Sequence, residues 1–234
     1  MASKPNKTKV YEYLKHAILT LALPPGHDLD EAKLCLSHQV SRTPLRDVFR
    51  RLAGEGYVAI RENRGARVAE MGHQTLRDFF LAAPMIYSAI LRLAAAQATR
   101  LQIDALKRSQ ADFKAALQAD DVAARALANT QFHEITGQMA GNVYLIPSFQ
   151  RLLIDHTRIS MTFFKANDPD RDGRLDAASR QHDAMIAAIE TADQRAAADL
   201  AMQHWDLSRH SIAQFVMPDP LEMPLGDLLE IAGG

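Results

Sequence analysis

The stretch from Val40 to Tyr57 constrains this chain more than any other. Ser41-Arg42-Thr43-Pro44 has the chemistry of a helix start. Ser41 or Thr43 can accept hydrogen bonds from the unpaired N–H groups of a first turn, and Pro44 is tolerated there because its missing N–H is not needed. Leu45, Val48, Phe49 and Leu52 then recur at helical spacing, and Gly54 and Gly56 end the run. Tyr57–Arg61 and Ala66–Ala69 are short β-prone runs around the turn Glu62-Asn63-Arg64-Gly65, which predicts a hairpin. Upstream, Tyr11, Leu14, Ile18 and Leu19 predict a helix from Thr8 to Leu21, stopped by Pro24-Pro25-Gly26. A second, short helix runs from Asp30 to Ser37, with Leu34 and Leu36 turned inward. Residues 1–7 are polar and basic and read as a disordered arm. Three helices and a small hairpin make a winged helix-turn-helix over residues 1–70.

The remainder carries a different pattern. Helical periodicity covers residues 74–99, 102–118, 121–139, 144–164, 175–191 and 193–216, with no convincing strand. Pro84 should kink the first of these or delay its start. Short connections between six helices imply an all-α antiparallel bundle over 71–217, with 218–234 as a tail. The expected fold is mainly α, a winged head followed by a helical body.

Charge follows the same division. Residues 1–70 hold 12 Lys+Arg against 8 Asp+Glu, and residues 71–234 hold 15 against 20. A basic front on an acidic back suits a nucleic-acid-binding head with a separate body. The single cysteine, Cys35, excludes an intrachain disulfide and fits the cytoplasm. No signal-like segment opens the chain, and no uninterrupted apolar run reaches about 18 residues, so no membrane partner is expected.

A recognition helix enters the major groove N-terminus first. Arg42 and Arg46 lie four apart and share a face, and arginine can fork onto guanine O6 and N7. Ser41 and Thr43 can meet phosphate at the helix N-terminus. The segment from Tyr11 and Leu14 through Leu23-Pro24-Pro25-Gly26, Leu29-Asp30-Glu31 and Ser41–Arg46 to Gly65 and Val68 closely resembles the GntR superfamily of bacterial regulators. The resemblance implies contacts to a double-stranded DNA operator by Ser41, Arg42, Thr43 and Arg46, and by the wing at Asn63, Arg64 and Gly65. Two positions depart from the pattern. Gln39 stands where glycine is usual and must tolerate positive φ, and Ala32 replaces a basic residue found in some relatives.

In the body, Asn129 and His133 share one helix face, while His182 and His204 lie on later helices. One oxygen ligand and three imidazoles can bind a divalent metal, although an ordinary core or surface histidine is the commoner case. Phe132-His133, Gly141-Asn142, Gln181-His182-Asp183, Ile186–Ile189 and His204 resemble, in order, the FCD class of GntR sensor domains, the FadR/FCD subfamily. That resemblance implies Asn129, His133, His182 and His204 as ligands of Zn, Ni, Fe or Mn, and an organic-acid effector. Asn129 takes a position where Asp is common. The class often carries Arg and, four residues on, Glu in its first helix, and Ala83 and Tyr87 align there. Its carboxylate clamp is therefore absent. Tyr87, Arg151, His156 and Arg158 are the other effector-binding candidates.

The resulting expectation is a ligand-responsive repressor-type regulator, without enzymatic activity, bound to a pseudo-palindromic operator as a homodimer. The rival is a metal-dependent enzyme built on the histidine-bearing bundle, because three His ligands leave coordination positions open.

Overall fold

A computed structural model describes residues 4–62, 65–163 and 171–216. The head begins with α1 (Lys4–Leu19), β1 (Asp28–Leu29), α2 (Glu31–His38) and α3 (Arg42–Glu55), and closes with β2 (Val58–Arg61) and β3 (Gly65–Val68). The body is α4 (His73–Gln97), α5 (Arg100–Gln118), α6 (Val122–Ala140), α7 (Ile146–Phe163), α8 (Arg171–Glu190) and α9 (Gln194–Val216).

The head is a winged helix-turn-helix. Asp30 caps α2 by accepting from the Lys33 N–H. The helix ends at Gln39, whose φ of 52° is left-handed and whose N–H turns back to the Cys35 and Leu36 carbonyls. The amide thus adopts the conformation that glycine takes with less strain. Ser41 is the N-cap of α3 in extended backbone, without a side-chain capping bond. Gly56, at φ 92°, terminates α3, whereas Gly54 lies inside it. The wing is the expected hairpin with one addition: β3 pairs antiparallel with both β2 and the two-residue β1, in the order β1-β3-β2.

Two expectations for the head fail. Residues 4–7 are helical rather than a disordered arm, because Asn6 donates to the Gln39 carbonyl and Lys7 pairs with Asp47 at 3.0 Å. Leu36 is 81% exposed, and only Leu34 packs on the core. Residues two apart on a helix point apart, so both could not turn inward.

The body is an antiparallel helical bundle. Thr99 and Gln102 form a reciprocal capping box on α5, and Asp121 caps α6 through the Ala124 N–H. Pro84 does not delay α4, which runs through it. This helix is long and apolar enough to cross a membrane by length and composition, but it packs against α6, α7, α8 and α9 as the centre of the bundle. Gly137 lets α6 approach α7, since a Cβ there would sit 2.9 Å from the Phe149 ring.

Head and body share an element. Ile154 of α7, 2% exposed, belongs to the head's core with Leu14, Phe49 and Leu52. Arg158 of α7 donates to the Ala69 carbonyl at 2.8 Å, holding the link between β3 and α4. Asp155, also buried, pairs with Arg151 at 2.9 Å and Arg158 at 3.3 Å.

Candidate functional site

The reading face of the head follows from how α3 is held. Leu45, Val48, Phe49 and Leu52 bury one side of the helix, which leaves Ser41, Arg42, Thr43 and Arg46 exposed on the other. Arg42 and Arg46 line one groove with Arg50, Arg61 and Gly65. Asp30 and Glu31 also line it, but the N-terminal N–H groups of α3 and the more numerous guanidiniums leave the groove attractive to anions. Arg61, at the end of β2, escaped sequence reasoning because its place beside α3 depends on how the wing folds back. Asn63 and Arg64 lie outside the described residues.

In the body, α6, α8 and α9 deliver His133, His182 and His204 to one buried point, with their candidate ligand nitrogens all within 4.8 Å of one another. The three rings lie 4.7–5.6 Å apart by centroid. His156 of α7 joins them 5.2 Å from His133, and its Nδ1 lies 2.7 Å from the Tyr87 hydroxyl.

Outer hydrogen bonds fix which nitrogen faces inward. Gln110 Nε2 donates to the Ser179 carbonyl at 2.9 Å, so its Oε1 is turned toward His182 Nδ1 at 3.0 Å. An amide oxygen only accepts, so His182 carries its proton on Nδ1 and leaves the Nε2 lone pair bare. His182 Nε2 is buried without a partner, as are both ring nitrogens of His133. Gln181 Oε1 meets His204 Nδ1 at 2.9 Å, which places the His204 proton in the same way. Oriented imidazoles with bare inward nitrogens are the donor set of a transition-metal site, and the three histidines can hold an ion. Neither glutamine was singled out from the sequence, since nothing local marks a residue that acts through another's ring.

Burial keeps these rings neutral, which is the ligating form. His133 and His182 are pushed well below the usual 6.5 by burial first and by neighbouring imidazoles second. His156 falls to about 4, and His204 to about 3 for the same leading reason.

Two cavity lobes flank the cluster and share His156 and His204. One is lined by Asn129, Arg125, Ser160 and Arg174, the other by Tyr87, His133, Met185 and Trp205. The structure thus brings Asn129, Tyr87 and His156 to the cluster. It does not bring Arg151 or Arg158, which line neither lobe. Arg151 borders the cleft between head and body with Tyr57 and Glu134, and Arg158 turns to Ala69. Both sit on the side of α7 away from His156, so their charges serve the joint between the units. No Asp or Glu lines either lobe among the described residues.

Comparison with known proteins agrees with both halves. The family described as "Bacterial regulatory proteins, gntR family" matches residues 6–68, and the FCD domain matches residues 83–207. The HTH-type transcriptional repressor RspR of Escherichia coli is 24% identical over 214 residues, covering 91% of each chain. The HTH-type transcriptional repressor GlaR of the same species is 26% identical over 200 residues, covering 83% of this chain and 90% of that one. Among solved structures, E. coli McbR/YncC superposes with a TM-score of 0.76 at 18% identity, over 92% of this chain and 100% of its own. A GntR regulator from Rhodococcus sp. RHA1 gives 0.68 at 15% identity, over 90% and 99%. With a gntR-type reading head on an FCD body, the chain is a member of the GntR family of bacterial transcriptional regulators, in the FCD group, and its work is regulation rather than catalysis.

Proposed function

We propose that the protein is an effector-responsive repressor that binds a pseudo-palindromic operator as a homodimer. Asn129, His133, His182 and His204 hold a divalent transition metal, and a small organic acid binds beside it. One observation carries this reading: the inward nitrogens of His133 and His182 are buried with nothing to bond. Leaving such groups bare is costly, so they are maintained for a partner. The metal supplies open coordination positions for a carboxylate oxygen. Repression is drawn from the names of RspR and GlaR. Ser41, Arg42, Thr43 and Arg46, with the wing at Asn63, Arg64 and Gly65, contact the operator in the cytoplasm. One head spans only a few base pairs, so a two-fold pair supplies the specificity.

Occupation of the cavity biases α7, which carries His156 toward the cluster and Ile154 and Arg158 toward the head. A shift of α7 then changes how the two heads of a dimer are spaced. Elemental analysis of the purified protein, beside His133→Ala/His182→Ala, tests the metal. About one ion per chain in the wild type and none in the variant is the expected result. A metal-free wild type whose thermal midpoint ignores added zinc, nickel or manganese overturns it. Selection of bound genomic fragments, with sedimentation of the bound complex, tests the operator and the dimer.

A further inference from the structure

Arg125 lines the polar lobe, and its Nη atoms serve neither the histidine cluster nor a hydrogen bond of the fold. It lies on α6 one turn before Asn129, so the two side chains leave the same helix face. The residue is 3% exposed, and neither Nη1 nor Nη2 has a hydrogen-bond partner. The nearest carboxylate, Asp120, is 3.8 Å from Nη1, beyond hydrogen-bond reach. Asp120 is itself mostly exposed and closer to Arg171, at 3.3 Å. A buried guanidinium with bare donors is costly unless an anion meets it.

The surroundings specify the anion. Burial keeps the imidazoles His156 and His204 neutral, and Asn129 replaces a carboxylate with a neutral amide. Two guanidiniums, Arg125 and Arg174, line the lobe, and among the described residues no Asp or Glu does. Its open space is about 30 Å³, room for one carboxylate group rather than for a whole molecule. Ala83, which aligns with the Arg that the class often carries, is fully buried in the bundle core.

We propose that Arg125 is the anion anchor of the effector cavity, gripping one carboxylate of a compact organic acid. The planar fork of the guanidinium matches a carboxylate with two parallel hydrogen bonds. The two oxygens of a carboxylate match the donors that Arg125 and Asn129 offer more closely than the oxygens of a phosphate do. The inference rests on the cavity being the effector site.

The test titrates acetate, malonate, citrate and inorganic phosphate into zinc-loaded and chelator-treated protein by calorimetry, with thermal midpoints alongside. The wild type is expected to bind at least one of the three carboxylates in preference to phosphate. Arg125→Met keeps the side-chain bulk and removes the charge. It should weaken carboxylate binding about ten- to hundredfold, keep its zinc, and show an acid-free midpoint no lower than wild type. Arg125→Lys should fall between the two. Asp120→Asn removes the competing carboxylate and should tighten acid binding, which keeps the test decisive if Arg125→Met fails to fold. Unchanged acid affinity in Arg125→Met, or unchanged or weaker affinity in Asp120→Asn, overturns the anchor and leaves the effector reading standing. Preferential binding of phosphate overturns the carboxylate assignment. A zinc-loaded wild type that binds none of the four overturns the effector reading, and the anchor falls with it.

Discussion

Arg46 is held by Glu31 through two hydrogen bonds, Nε to Oε1 at 3.2 Å and Nη2 to Oε2 at 3.3 Å. The carboxylate comes from the first turn of α2 and the guanidinium from the exposed face of α3. The guanidinium expected to read a base is therefore already oriented, by a group that also repels phosphate. Arg46→Ala should weaken operator binding by about 1–3 kcal/mol and relax preference at one position. Glu31→Gln should raise affinity for unrelated DNA and narrow the gap to the operator. Gel shifts on operator variants and on random duplex check both, and unchanged discrimination in both variants would take the pair out of the reading set.

The Asp155 carboxylate depends on two arginines. Burial pushes its pKa up, and Arg151 and Arg158 oppose that. Arg158→Met removes one of them, together with the hydrogen bond to the Ala69 carbonyl. The loss should cost about 3 kcal/mol, the lower end for breaking a buried ion pair, because Arg151 remains. Urea unfolding measures it, and a cost under about 1 kcal/mol would mean that the joint does not rest on this pair.

Gly56 and Gly54 should respond in opposite directions to alanine. At Gly56, φ is 92° and an added Cβ would lie 2.4 Å from Arg151 Cδ. Gly56→Ala should therefore cost upward of about 1–2 kcal/mol and swing Arg151 away from Asp155. Gly54 is helical with nothing within 4 Å of its added Cβ. Gly54→Ala should stabilise by about 0.5–1 kcal/mol. Thermal midpoints of the two variants decide the matter.

Acid should unfold the metal-free protein through its imidazoles. His156 and His204 have folded pKa values of about 4 and about 3, against 6.5 when unfolded. The unfolded chain therefore takes up their protons first. Their stabilising contribution is whole above about pH 6.5 and is lost as pH falls toward 4 and then 3, at about 1.4 kcal/mol per pH unit for each ring. Urea unfolding of chelator-treated protein between pH 7.5 and 5 gives the slope, and His204→Gln should flatten it by about one proton. A slope that His204→Gln leaves unchanged would contradict the burial of that ring.

The reading head was legible because its signals are local. Ser41 to Leu52 carry a cap, a first-turn proline and an apolar stripe within a few turns, and Gln39 was marked by standing where glycine is expected. The six body helices were legible from periodicity. Leu36 is hydrophobic but two residues from Leu34, so its angular position on α2 turns it to solvent, and β1 is too short for an alternation to register. The histidine cluster was readable as candidates spread over three helices, while their convergence is a tertiary fact. His156 was already a candidate in the sequence, whereas Gln110 and Arg125 mattered only once α5, α6, α7 and α8 were packed. Arg151 and Arg158 looked like acid binders by residue type, but the face of α7 on which they sit sends them to the head.

Ile154 has a consequence for how such regulators are recombined. A fragment cut after the wing lacks the side chain that fills its own interior, and keeps a socket open to solvent between α1 and α3. Grafting a foreign sensor onto this head, or this sensor onto another, succeeds only where the donor helix offers an aliphatic side chain of similar bulk at the same register. Exchange of whole domains is therefore restricted by a fitted joint, in which Ile154 fills the head's core while Leu127, Arg158 and the Lys15–Glu134 pair hold its edges.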